Sequence, residues 1–246
     1  MITEICRFTD DTVMTCAVAE GICNALSMLS KDWMSDSNSE EILSGQIRES
    51  MQKFGRKYPR AGYGGRFRRW IWEKNPKPYY SWGNGSAMRA SYAGWVAGTI
   101  EEAEKLATIS ASVTHDHPDG INGAKVVAGS IFLLRNGATK EQVKEYVENM
   151  YPLDFTLDEI REDYSFDVSC HGSVPQAVEA FLEGDNFGNV ISKAISIGGD
   201  SDTIAAIAGS IAEVIYPIPD ELKERTIKKL DKTIEETLKR VSAFCQ

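Results

Sequence analysis

The chain of 246 residues has no apolar run approaching the roughly 20 residues that a membrane-spanning helix needs, and its first residues lack the basic and apolar regions of a signal peptide. A soluble, cytoplasmic protein with no membrane partner is expected. Its five cysteines, Cys6, Cys16, Cys23, Cys170 and Cys245, are odd in number and show no metal-like CxxC spacing, which points to reduced thiols. Positive charge is short: 27 Lys and Arg face 36 Asp and Glu, a net charge of −9. A nucleic-acid surface is excluded on that balance, because phosphate binding needs a positive footprint. No segment rich in Pro, Gly or Ser divides the chain, so residues 1–246 are read as one domain. No stretch alternates as a strand does, and the fold class expected is all-α.

What is present centres on Gly198–Tyr216, GGDSDTIAAIAGSIAEVIY. Two glycines lead into Asp200, Ser201, Asp202 and Thr203, after which Ile204, Ile207, Ile211 and Ile215 recur at helical spacing. The pattern predicts a buried helix with an oxygen-rich mouth. A second such mouth, Thr9, Asp10, Asp11 and Thr12, precedes Val13, Met14, Ala17, Val18, Ile22 and Leu26 and predicts a helix from near Thr12 to near Leu29.

Between the two, Ser39 opens an amphipathic helix, and Phe54–Met88 is a long loop rich in Gly, Pro, Tyr and Trp with one short helix around Phe67–Trp72. Its run of Lys and Arg from Lys53 to Lys77, against the single acid Glu73, suits either a small anionic ligand or a solvated face. Trp70, Trp72, Tyr79, Tyr80 and Trp82 suit either stacking on a base or packing on the helical body. Ala87–Trp95 reads as helical, and the glycine-flanked backbone before it as an anion or hydroxyl site. Thr99 caps a helix to about Val113, and Ile121–Arg135 forms an apolar helix. Thr139 with Gln142, and Ser173 with Gln176, read as capping boxes, and Asp185 caps a helix through Ile195. Tyr151–Gly172 reads as irregular and Glu221–Phe244 as one long charged helix. His115 and His117 share one turn, but no cysteine or third histidine lies near them in sequence, which argues against a transition-metal centre.

The Asp/Thr mouths have two readings. Asp and Thr are good N-caps, and negative charge favours a helix N-terminus. One carboxylate would serve that purpose, however, and each mouth carries two, whose repulsion calls for a counter-ion. Oxygen ligands alone suit a hard divalent ion, Mg²⁺ before Mn²⁺ or Ca²⁺, and so many carboxylates could hold two ions.

FTDDTVM at Phe8–Met14, YGGR at Tyr63–Arg66, GNGSAMR at Gly83–Arg89, THDHPDGINGA at Thr114–Ala124 and GGDSDT at Gly198–Thr203 together resemble the ADP-ribosylglycohydrolase family. The blocks stand in the family's order and cover almost the whole chain. The resemblance implies an all-α fold and two Mg²⁺ ions held by Thr9, Asp10, Asp11, Asp200, Asp202 and Thr203. It also implies catalytic roles for Asp10, Asp11, Asp200 and Asp202, with Tyr63, Gly64, Gly65, Asn84, Gly85, Ser86, His115 and His117 bordering ADP-ribose. Arg89 is either a contact or a structural ion-pair partner. The implied activity is Mg²⁺-dependent hydrolysis of the bond between ADP-ribose and a protein side chain or small conjugate; the alternative is a non-catalytic, crystallin-like ADP-ribose-binding or structural protein. Where family members carry a glycine-rich helix resembling GAIxGDxxGSxYE ahead of the Thr-Asp-Asp cluster, this chain has Met1–Phe8. The expectations that follow are weakened catalysis, and an apolar groove beside the first and central helices that leads either to self-association through that face or to marginal stability as a monomer.

Overall fold

The computed structural model describes residues 6–244, so the expectation attached to the segment before Thr9 lies largely outside the described residues, as does Cys245. Within that range the chain is helical, and among the described residues the nearest thing to a sheet is one antiparallel bridge between Gly83 and Ser169. In chain order the helices are α1 (Asp10–Leu26), α2 (Ser39–Lys57), α3 (Gly65–Trp70), α4 (Ser91–Val96), α5 (Ile100–Ser112), α6 (Pro118–Arg135) and α7 (Lys140–Glu148). They continue with α8 (Leu157–Ile160), α9 (Val174–Glu183), α10 (Phe187–Ser196), α11 (Ser201–Ala212), α12 (Asp220–Ile227) and α13 (Lys232–Phe244).

Three helices carry small or branched apolar residues on every side and are buried accordingly: α1, α6 and α11. The remaining helices wrap them. α2 and α13 cover α1, α5 and α4 cover α6, and α9 and α10 cover α11. α1 and α11 also meet directly, which carries their N-terminal ends to the same place. Gly21 shows how tightly α1 and α2 cross: a Cβ there would stand 2.6 Å from the Ile47 Cα, closer than van der Waals contact allows. Glu20, 4% exposed, is neutralised by Lys53 of α2 at 2.7 Å and by Arg240 of α13, fastening three helices through one buried carboxylate. Val13, Ala17, Val18 and Ile22 of α1 and Ile204, Ile207 and Ile211 of α11 are all buried, so these residues line no open groove beside the first and central helices.

The capping boxes differ in outcome. Thr139 and Gln142 form a full box, and Thr99 accepts from the Glu102 N–H at 3.2 Å. Ser173 does not cap α9; its hydroxyl donates to the Asp167 carbonyl and accepts from Asn84, so it is spent on a tertiary contact. Asn186, one residue beyond the expected Asp185, caps α10. The single helix expected over Glu221–Phe244 is two, because Asp231 accepts from the Ile234 N–H at 3.0 Å and from the Tyr58 hydroxyl at 2.9 Å, starting α13 afresh. Of Ala87–Trp95, expected to be helical, only the part from Ser91 is, as the short α4; a 3-10 turn at Asn84–Ser86 and a non-helical stretch at 87–90 precede it. The irregular reading of Tyr151–Gly172 holds apart from the one-turn α8. Cys16, Cys23 and Cys170 are buried, and among the described residues no disulfide forms.

Candidate active site

The two oxygen-rich mouths open into one cavity of about 560 Å³. Thr9, Asp10 and Asp11 enter it from α1, and Asp200, Asp202 and Thr203 from α11. The contact between the two sets is direct. Asp11 accepts from Thr9 Oγ1 at 2.8 Å, and Thr203, the buried threonine of the opposite helix, lies close beside it.

Capping does not account for these side chains. Thr9 and Asp200 occupy the N-cap positions of α1 and α11, yet neither makes a side-chain cap hydrogen bond. Thr9 donates to Asp11 instead, and Asp200 Oδ2 accepts from Asn84 Nδ2 at 2.7 Å. Asn84 donates as well to Ser173 Oγ at 2.9 Å, so the 3-10 turn at Asn84–Ser86 is tied both to the acidic cluster and to the start of α9. Gly199, at φ +66°, turns the chain into Asp200 in a conformation that side chains other than glycine rarely adopt. A Cβ there would also meet the Tyr164 ring at 2.4 Å.

The cluster is electrostatically strained. Burial, with the Asp11 charge beside it, pushes the Asp10 carboxyl up to about 7. Asp11 is raised chiefly by burial, against the hydrogen bond from Thr9, and Asp200 is raised by burial and by the neighbouring Asp202. Asp11 Oδ1 is buried with no hydrogen-bond partner. An orphaned carboxylate oxygen, in a set whose donors are carboxylate and hydroxyl oxygens only, fits a hard divalent cation by donor chemistry. Among the described residues the side chains do not close into a ready cage, since no three of His, Cys, Asp and Glu stand near enough together to hold an ion as placed.

Tyr63, Gly64, Gly65, Asn84, Gly85 and His115 also line the cavity. Ser86 and His117 stand outside that lining. The Ser86 side chain is wholly buried and donates to the Gly83 carbonyl, while His117 caps α6 by accepting from the Asp119 N–H and meets the Tyr80 and Trp82 rings edge-on. Arg89 lies in the lining and is 1% exposed. Among the described residues its partners are the Gly85 and Ser110 carbonyls and the Thr114 hydroxyl, and none is a carboxylate that would make it an ion pair. Of the basic run, Arg66 reaches the cavity wall, whereas Lys53 pairs with Glu20 and Arg56 packs over Trp72. Trp70 is buried, while Trp72, Tyr80 and Trp82 are each more than half exposed.

Sequence reasoning missed Phe166 and Val168, which rim the cavity while 69% and 53% exposed. Their segment is held against the Gly83 turn by the Asn84 N–H donating to the Val168 carbonyl and the Cys170 N–H donating to the Trp82 carbonyl. Their isolation in an irregular stretch gave no periodic signal. Gly62, at φ +119° beside Asp10, was missed for the same reason.

The family model for ADP-ribosylglycohydrolase matches residues 4–245. An ADP-ribosylhydrolase ARH3 of Gallus gallus is 28% identical over 183 residues, covering 55% of this chain and 50% of the relative. An ADP-ribosylarginine hydrolase Tri1 of Pseudomonas putida is 27% identical, covering 60% and 42% respectively. An ADP-ribosyl-[dinitrogen reductase] glycohydrolase of Rhodospirillum rubrum is 25% identical, covering 64% and 54%. The matches thus span about half the length of these relatives. Among solved structures, a chain of an ADP-ribosylglycohydrolase-related protein complex has the same fold, with a TM-score of 0.63 at 22% identity over 92% of this chain and 78% of the other.

Proposed function

The chain belongs to the ADP-ribosylglycohydrolase family, and from that premise we propose that it hydrolyses the glycosidic bond between ADP-ribose and a protein side chain or small conjugate, using Mg²⁺ held by the paired Asp/Thr mouths. The observation that carries this reading is that both mouths leave helix capping aside and turn their oxygens into one cavity. Thr9, Asp10, Asp11, Asp200, Asp202 and Thr203 would hold the ions, two by the number of carboxylates, with Mn²⁺ as a substitute. When bound, a divalent ion supplies Lewis acidity to oxygens placed against it and offsets the repulsion among the carboxylates.

The chain's own groups then divide the remaining work. Asp10, Asp11, Asp200 and Asp202 stand where the reacting ribose would lie, and they are the candidates to act on the glycosidic bond. Asn84 sets the direction of Asp200 by a hydrogen bond to Oδ2. Tyr63, Gly64, Gly65, Gly85 and His115 would border the ADP-ribose, and Phe166 and Val168 would narrow the entrance. About 560 Å³ suits a ligand of nucleotide size. The relatives named above are hydrolases, and no observation favours the non-catalytic alternative.

Arginine-linked and serine-linked ADP-ribosyl peptides, incubated with the protein in Mg²⁺ or in chelator, test the proposal. ADP-ribose release that requires Mg²⁺ is expected from at least one linkage. Release that is equal in chelator would remove the metal from the account, and no release from any conjugate would remove the activity.

A further inference from the structure

Behind the Gly83–Gly85 turn runs a hydrogen-bonded chain sealed from solvent. Arg89 donates through one guanidinium nitrogen to Thr114 Oγ1 at 2.9 Å, and Thr114 Oγ1 lies 2.7 Å from His115 Nδ1. Arg89 is 1%, Thr114 0% and His115 6% exposed. The direction of this chain follows from what each group can do. A guanidinium only donates, so the threonine oxygen accepts from it; its second lone pair could accept as well, but among the described residues His115 Nδ1 is the one acceptor hydrogen-bonded to the hydroxyl, and the single proton goes there. A ring nitrogen that accepts carries no proton. The other ring nitrogen, Nε2, must then hold it, and Nε2 faces the cavity at the glycine turn, where a Cβ on Gly83 or on Gly85 would stand 3.4 Å away.

We propose that Arg89 and Thr114 are positioning residues that lock His115 as the neutral Nε2–H tautomer, so that the cavity wall presents a fixed hydrogen-bond donor to an oxygen of the bound ligand. That the ligand is ADP-ribose rests on the function proposed above; the tautomer does not. The nearby guanidinium works in the same sense, since a second proton on the ring would place two buried cations side by side. His115, in a cavity otherwise dominated by carboxylates, thereby offers a donor and no charge. An Nδ1–H ring would present an acceptor in the same place and repel the same oxygen.

Long-range ¹H–¹⁵N correlation spectra of the ligand-free protein at pH 7 read the tautomer directly, and with three histidines in the chain His115→Gln identifies the ring. The Nε2–H pattern is expected in the parent and in Thr114→Ser, and Tyr79→Phe, which removes a hydroxyl beside Thr114, should leave it in place. Thr114→Val should lose the single-tautomer pattern and weaken ADP-ribose binding roughly tenfold, the loss of about one well-placed hydrogen bond, while Thr114→Ser stays within about twofold. An Nδ1–H ring or an imidazolium in the parent would overturn the proposal without any variant. So would a Thr114→Val protein with native circular dichroism and an unchanged His115 pattern, or a Tyr79→Phe protein whose tautomer switches. An Nε2–H ring in a protein that fails to bind ADP-ribose would uphold the positioning and contradict the ligand.

Discussion

Asp10→Asn should stabilise the protein at neutral pH in the presence of a chelator, although it removes a charged group from a helix N-terminus. The Asp10 carboxyl is raised from 3.8 to about 7, first by burial and then by the Asp11 charge. A carboxyl raised on folding binds its proton more tightly in the native state, so stability falls as pH rises between those two values. Roughly three pH units at about 1.4 kcal/mol each give a ceiling of about 4 kcal/mol. Asp10 keeps partial access to solvent, and screening brings this to about 2 kcal/mol. Loss of the first-turn charge offsets about 0.3–1 kcal/mol of the gain. The net, about 1–1.5 kcal/mol, corresponds to a melting temperature higher by about 2–6 °C for a chain of this size. Thermal melts at pH 7.5 and pH 4.5 in chelator check both the sign and the pH window. The variant should melt higher at pH 7.5, and the gap should close at pH 4.5, where the parent carboxyl is already protonated. A variant that melts at or below the parent at pH 7.5, or a gap that persists at pH 4.5, would refute the reasoning.

Three further perturbations bear on the site and the fold. Asp202→Asn should lower ADP-ribose release by about a hundredfold or more and shrink the Mg²⁺-induced rise in melting temperature, read by activity assay and thermal shift on the same preparation. Gly199→Ala places a Cβ on the Tyr164 ring at φ +66°; it should cost about 1–3 kcal/mol and loosen Asp200, so that melting temperature and Mg²⁺ response fall together. Gly21→Ala drives a methyl into the α2 backbone; a loss of about 1–3 kcal/mol in chemical denaturation with Mg²⁺ binding retained is the expected result.

The helical framework was legible because its signals are local. Apolar spacing in Val13–Leu26 and Ile204–Ile211, the Thr99 cap and the Thr139–Gln142 box each act within a few residues. The errors fell where a polar side chain serves a distant partner. Ser173 has the spacing of a cap but bonds Asn84 and Asp167, and Asp231 restarts a helix that its charged surroundings hid. The same ambiguity ran through the site. Doubled carboxylates at Asp10–Asp11 and Asp200–Asp202 hinted at more than capping, yet only the fold brings the two sets to one cavity, with Thr203 beside Asp11. Phe166, Val168 and the link from Arg89 to Thr114 left no trace in spacing, because their partners lie on other segments.

The central claim is that the α1 and α11 mouths make one divalent-cation site, and anomalous diffraction from crystals grown with Mn²⁺ tests it most directly. One or two peaks ringed by oxygens of Asp10, Asp11, Asp200 and Asp202 are the predicted result. Density confined to other acidic surfaces, with none between these four residues at saturating Mn²⁺, would contradict it.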